Sequence, residues 1–235
     1  MALADATNII LSCCQQYWSM GVHLDVIEQL NALQRWCNLW QQVGARSTPE
    51  PLFKKIVAAY SEPHRAYHTL IHLEDCLANL ELARSLAHQP TVVALALYFH
   101  DVVYDPRASD NEECSAALAV KWLQHGQVPQ SLVEAVRHLV LATKHQTTPK
   151  DKDTALLVDI DLAILGSPIV EFDRYEANIR HEYSWVPEAV YRAKRASLLE
   201  QFLERSRLFQ TDFFHHRYEQ QARYNLRRSI KRLNP

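Results

Sequence analysis

A single all-α domain is the fold that this 235-residue chain predicts, on three grounds. Glycine occurs only 4 times, too rarely for the many turns that sandwiches and barrels need. Leu, Ala, Gln, Glu and Arg, all good helix formers, are plentiful. Apolar residues recur at helical spacing along the chain, with no strand hairpin, internal repeat or low-complexity segment between them. A chain of this length buries a sizeable core without disulfides or a structural metal.

Helices up to about residue 45 are expected as an N-terminal appendage packed on a core of about 50–183. In "TPEPLFKKIVAAY" Thr48 offers a cap, Pro49 suits the first helical position, and Leu52, Phe53, Ile56, Val57 and Tyr60 share one apolar stripe. Pro63 breaks that helix. A second helix is expected from about Ala66 to Ala87 and a third from about Thr91 to Asp101, followed by the irregular "VVYDPRAS". Asp110 and Glu113 resemble a capping box ahead of the next helix, which Gly126 ends. Further helices are expected at about 129–144, 153–165 and 168–183, and C-terminal helices over 187–232, punctuated by Pro149, Gly166, Pro168 and Pro187. Trp18, Trp36, Trp40 and Trp122 read as core anchors.

Charge and cysteine usage narrow the function classes. A formal net charge of −2 offers no broad basic field, and "RYNLRRSIKRLNP" reads as the solvated face of a last helix, so stable nucleic-acid binding is not expected. The longest apolar run, "VVALALYF", is too short to span a bilayer, and "MALADATNII" lacks the basic start of a signal peptide. A cytoplasmic location away from membranes is the expectation. The 5 cysteines form no CxxC pair and read as reduced, mostly buried thiols. No P-loop, GxGxxG, GxSxG or HExxH motif is present, which removes those enzyme classes.

Most of the 12 histidines, among them His23, His88, His125, His138, His181, His215 and His216, read as surface or satisfied core residues. "PHRAYHTLIHLEDCL" differs: on one helix His68, His72 and Asp75 would share a face. His100 and Asp101 end a helix whose preceding residues are almost wholly apolar, and a buried ionised carboxylate is costly unless paired or metal-bound. "ALLVDIDLAILG" sets Asp159 and Asp161 in another apolar helix, roughly 200° apart, so only one of them can reach a given ion.

Together, His72, His100-Asp101 and an aspartate of "VDIDLAILG" resemble the ordered H…HD…D signature of the HD superfamily of metal-dependent phosphohydrolases, over about residues 60–165. The whole chain is similar to the uncharacterised bacterial branch of predicted HD phosphohydrolases. That resemblance implies an HD-domain helical bundle with His72, His100, Asp101 and Asp161 as metal ligands. Asp161 is preferred to Asp159 because "Ile160-Asp161-Leu162" matches the context of the family's last aspartate. "AYHTLIHLEDCL" also resembles a helix of cyclic-nucleotide phosphodiesterases, which implies His68 as general acid. Where those enzymes carry a further metal-associated histidine this chain has Tyr104 and Asp105, against a dinuclear site of that type.

Two imidazoles and two carboxylates suit Mn²⁺, Fe²⁺, Co²⁺, Ni²⁺ or Zn²⁺ better than Mg²⁺. The expected activity is hydrolysis of a small phosphorylated substrate, a nucleotide foremost, by metal-activated water that Asp101 orients. Arg65, Lys144 and Arg180 are the candidate cations for phosphoryl oxygens, and Glu112 a candidate partner of a ligand histidine or metal-bound water. The alternatives are a nucleotide- or metal-binding module without turnover, and an HD-type iron oxygenase with His68 or His145 on a second metal.

Overall fold

The apolar run over residues 92–99 organises the structure. In a computed structural model that describes residues 26–234, this run forms a helix with every side chain from Val92 to Phe99 buried. The described residues form ten α-helices and no strand. They are α1 (Val26–Gln42), α2 (Glu50–Tyr60), α3 (Leu70–Leu82), α4 (Pro90–Phe99), α5 (Asn111–His125), α6 (Gln130–Ala142), α7 (Lys152–Asp161), α8 (Ile169–Glu182), α9 (Glu188–Glu204) and α10 (Asp212–Leu233). Short 3₁₀ turns at Arg84–Leu86 and Leu162–Gly166 follow α3 and α7. The expected N-terminal helical segment before residue 26, with Cys13, Cys14, Trp18 and His23, lies outside the described residues.

Helix α4 is the axis of the bundle, touching α1, α3, α5, α6 and α7. A helix apolar on all sides has to be surrounded, and each fully buried Leu, Val or Phe contributes roughly 1.5–3 kcal/mol. One continuous core runs from Trp36 and Trp40 on α1 through Leu95 and Phe99 to Phe214 and Leu226 on α10. Both tryptophans are core anchors as expected, and their indole N–H groups donate to the carbonyls of Pro49 and Ser47 at 2.9 Å. Among the described residues no helix is long and apolar enough to cross a membrane.

Several boundaries differ from expectation for local reasons. Helix α3 starts at Leu70, four residues after the expected Ala66, because the backbone N–H groups of Ala66, Tyr67 and His68 all donate to the Glu182 carboxylate instead. It ends at Leu82, and the tighter 3₁₀ turn takes up part of the expected remainder. Asp110 precedes α5 without a side-chain capping bond, so the capping box is not formed. Pro49, not Thr48, stands at the N-cap of α2, which begins at Glu50.

Candidate metal centre

Three helix ends deliver the site. His72 lies in the first turn of α3, His100 and Asp101 follow the last turn of α4, and Asp161 is the final residue of α7. His100 Nε2 lies 3.1 Å from His72 Nε2 and 3.1 Å from Asp101 Oδ2. Asp161 Oδ1 lies 3.3 Å from His72 Nε2 and 3.6 Å from His100 Nε2, and His72 Nε2 is 3.6 Å from Asp101 Oδ2. An ion with ligands at about 2.1 Å spaces neighbouring donors roughly 3.0 Å apart in an octahedron and roughly 3.4 Å apart in a tetrahedron. These five separations are compatible with ligands reaching one centre.

Hydrogen bonding behind the cluster fixes which atoms face inward. His100 Nδ1 lies 2.7 Å from the Leu97 carbonyl, so it carries the proton and turns the Nε2 lone pair toward His72. His72 Nε2 faces it at 3.1 Å, a separation that favours a proton or a cation between the two nitrogens. Burial opposes charge on the cluster, but the imidazoles offset this: His100 leads in holding Asp101 and Asp161 well below the usual carboxylate range. Burial likewise works against His100 carrying a proton, yet Asp101 and Asp161 drive its affinity for one well above the ordinary value. As metal ligands, two carboxylates and two deprotonated imidazole nitrogens would sum to −2, which a divalent cation balances. The donor set fits such an ion.

Asp159 and Asp161 separate as the helical geometry requires. Asp159 faces away and accepts from the backbone N–H groups of Gln210 and Thr211, each at 2.7 Å, and from the Thr211 hydroxyl. Burial pushes its pKa up to about 6 despite those bonds.

His68 does not share a helix with His72. It lies in the loop before α3, with its ring centroid 6.0 Å from that of His72. Its position comes from Glu182 on α8: His68 Nδ1 is 2.8 Å from Glu182 Oε2, and Tyr104 donates its hydroxyl to the same oxygen at 2.7 Å while stacking on the His68 ring. Burial works against a charged His68, but the Asp101 charge and the Glu182 hydrogen bond outweigh it and raise its pKa. Glu182 is held down to about 2: burial resists its charge, while His68 and the backbone donors favour it. Glu182 and Tyr104 lie 114 and 36 positions from His68, beyond what local spacing marks. Asp75, expected on the shared face, is exposed on α3 and makes no ion pair with the ligand histidines among the described residues, though it lines the same cleft as His72.

The candidate cations are committed elsewhere. Arg65 is buried and donates to the carbonyls of His68, Asp101 and Val102 and to Glu62, so it braces the His100-Asp101 turn and does not offer a hand to substrate. Lys144 pairs with Glu113. Arg180 donates to the carbonyls of Tyr183 and Val186 and to Glu188, clamping the α8–α9 turn. Glu112 hydrogen-bonds neither ligand histidine among the described residues; it lies in the first turn of α5, close enough to act electrostatically on Lys144.

Two further residues join the cluster. His145 Nε2 is 2.8 Å from Asp161 Oδ2, and its backbone is left-handed at φ 54°, costing roughly 1–3 kcal/mol for a non-glycine residue. Arg205 holds that conformation by donating to the His145 carbonyl at 2.6 Å. Cys76, one turn beyond His72, completes a group with His72, His100 and Asp161 whose donor atoms lie within 4.8 Å of one another. Its sulfur is 3.8 and 3.7 Å from the two His72 ring nitrogens, so it flanks the ring and does not face the Nε2 lone pair. Asp101 Oδ2, at 3.6 Å from His72 Nε2 and 3.1 Å from His100 Nε2, lies beside the same group. Among the described residues the metal-donor groups of three or more share His72 and His100, and His68 and His145 are both engaged with carboxylates.

No family model matches the chain, and neither a curated protein nor a solved structure matches it. Over the described residues, fold and site together define an all-helical protein with a His72–Cys76–His100–Asp161 group, flanked by Asp101, that could hold a metal ion.

Proposed function

We propose that this protein is a metal-dependent phosphohydrolase of the HD type, cleaving a phosphate ester or anhydride of a small metabolite, a nucleotide foremost. One observation carries the reading: His72 Nε2 and His100 Nε2 lie 3.1 Å apart, and each lies 3.1–3.6 Å from a carboxylate oxygen of Asp101 and of Asp161, beside a histidine that a buried glutamate orients. A divalent transition ion, favoured over Mg²⁺ by the nitrogen donors, would polarise a phosphoryl oxygen and lower the pKa of bound water. His68, with Nδ1 bound to Glu182, keeps Nε2 free to give a proton to a leaving oxygen. Asp101, about one-sixth exposed, has a carboxylate that can orient an attacking water.

Phosphate release from a nucleotide panel, run with Mn²⁺, Co²⁺ and Ni²⁺, tests this. Asp101→Asn should abolish release with helicity intact, and His68→Ala should slow it by about 10²–10⁴-fold. A panel blank with all three ions counts against hydrolysis.

A metal-binding module without turnover is the second reading, and Cys76 favours it. His72, Cys76, His100 and Asp161 offer four donors of types that zinc takes, the number a closed tetrahedral site uses. Cys76→Ser separates the two: the catalytic centre keeps its ion and its turnover, whereas the closed site loses the ion.

A further inference from the structure

A cleft of about 390 Å³ opens beside the cluster, with His72, Cys76 and Asp161 in its walls together with Arg217, Asp75 and Glu171. That volume is within the range of roughly 300–1,000 Å³ usual for small-molecule sites. Among the described residues lining it, Arg217 is the single cation.

Helix α10, which carries Arg217, is mounted on the Asp161 segment at three points. Asp159 anchors its N-terminus through Gln210 and Thr211. Gly166 permits close approach further along: a Cβ there would lie 2.5 Å from Tyr218 Cβ and 2.7 Å from the Tyr218 carbonyl oxygen. Asn225 donates to the carbonyls of Leu165 and Ser167, both at 2.9 Å. Arg217 lies between the first and last of these points, so its backbone is fixed relative to Asp161.

The guanidinium itself is uncommitted. It rests 5.4 Å from the Tyr218 ring centroid and makes no hydrogen bond or ion pair with any described residue, unlike Arg65, Lys144 and Arg180. Asp75, Glu171 and Asp161 make the walls otherwise acidic, so an anion enters favourably only where a cation offsets them. We infer that Arg217 is the anion-recognising residue of this cleft, taking the oxygens of a phosphate group in the fork geometry that suits guanidinium. The inference rests on the metal-dependent reading above, because phosphate is placed in the cleft by the adjoining centre.

The test uses the full chain loaded with Co²⁺, with cobalt uptake counted first by elemental analysis. Inorganic phosphate is then titrated calorimetrically into the unaltered protein, Arg217→Ala and Arg217→Lys. Loss of a charge-assisted contact should weaken phosphate binding by roughly tenfold to a hundredfold in Arg217→Ala, with Arg217→Lys between the two. Arg217 is exposed, so the fold should tolerate both changes, and circular dichroism checks that. Unchanged phosphate affinity in cobalt-loaded Arg217→Ala overturns the role of Arg217 alone. Absence of cobalt uptake by the unaltered protein overturns both this inference and the metal-dependent reading.

Discussion

Replacing Glu182 by Gln removes one buried charge and reads out how the loop before α3 is held. The carboxylate accepts from three successive backbone N–H groups, from His68 Nδ1 and from the Tyr104 hydroxyl, and its side chain is fully buried. Its pKa is held down to about 2 from an ordinary 4.5. At 1.36 kcal/mol per pKa unit this corresponds to about 3 kcal/mol of folding stability. Because the folded-state value lies below the unfolded one, that stability is fully present above pH 4.5 and is lost as pH falls toward 2. Urea denaturation of both proteins from pH 7 down to pH 3 should show Glu182→Gln weaker by about 3 kcal/mol at neutral pH, with the gap narrowing as the medium is acidified. A gap of under about 0.5 kcal/mol at pH 7, or one that does not change with pH, refutes the assignment of that charge to folding.

Other perturbations have equally direct readouts. Co²⁺ added to chelator-stripped protein at a hundredfold excess over Kd should stabilise it by about 2.7 kcal/mol, raising Tm by roughly 5–10 °C; a Tm that ignores the ion contradicts binding to the folded site. His145→Ala frees Asp161 Oδ2 and should weaken metal affinity about 10–100-fold by competitive chelator titration, whereas equal affinity means that His145 does not position Asp161. Gly166→Ala forces a methyl group against Tyr218 and should cost about 1–3 kcal/mol in chemical denaturation; a variant as stable as the parent would show that α10 can move away freely.

Acidic residues inside apolar runs were the legible part of the site. His100-Asp101 after Val92–Phe99 and Asp161 inside "ALLVDIDLAILG" stand out because burial penalises a charge that has no partner, so the sequence marks them without knowledge of the fold. Periodicity likewise conveys the helical class and the approximate places of α4–α10, since each helix shows its buried stripe locally. Glu182 was illegible for the opposite reason: it acts on residues 114–116 positions away, and nothing near it in "NIRHEYSW" distinguishes it from a surface acid. The same distant carboxylate displaced the start of α3 and took His68 off the helix. Arg65 misled because a cation beside a histidine cluster looks like a substrate ligand until its donors are seen on backbone carbonyls. The i,i+4 spacing of His72 and Cys76 was the one local signal for the thiol beside the cluster.

The most direct measurement is an anomalous-difference map from crystals soaked in Co²⁺ or Zn²⁺. Four side chains sharing one centre require a single strong peak at about 2.0–2.2 Å from His72 Nε2, His100 Nε2 and one oxygen each of Asp101 and Asp161. A map with no peak there, or with the ion held elsewhere on the chain, contradicts the shared centre.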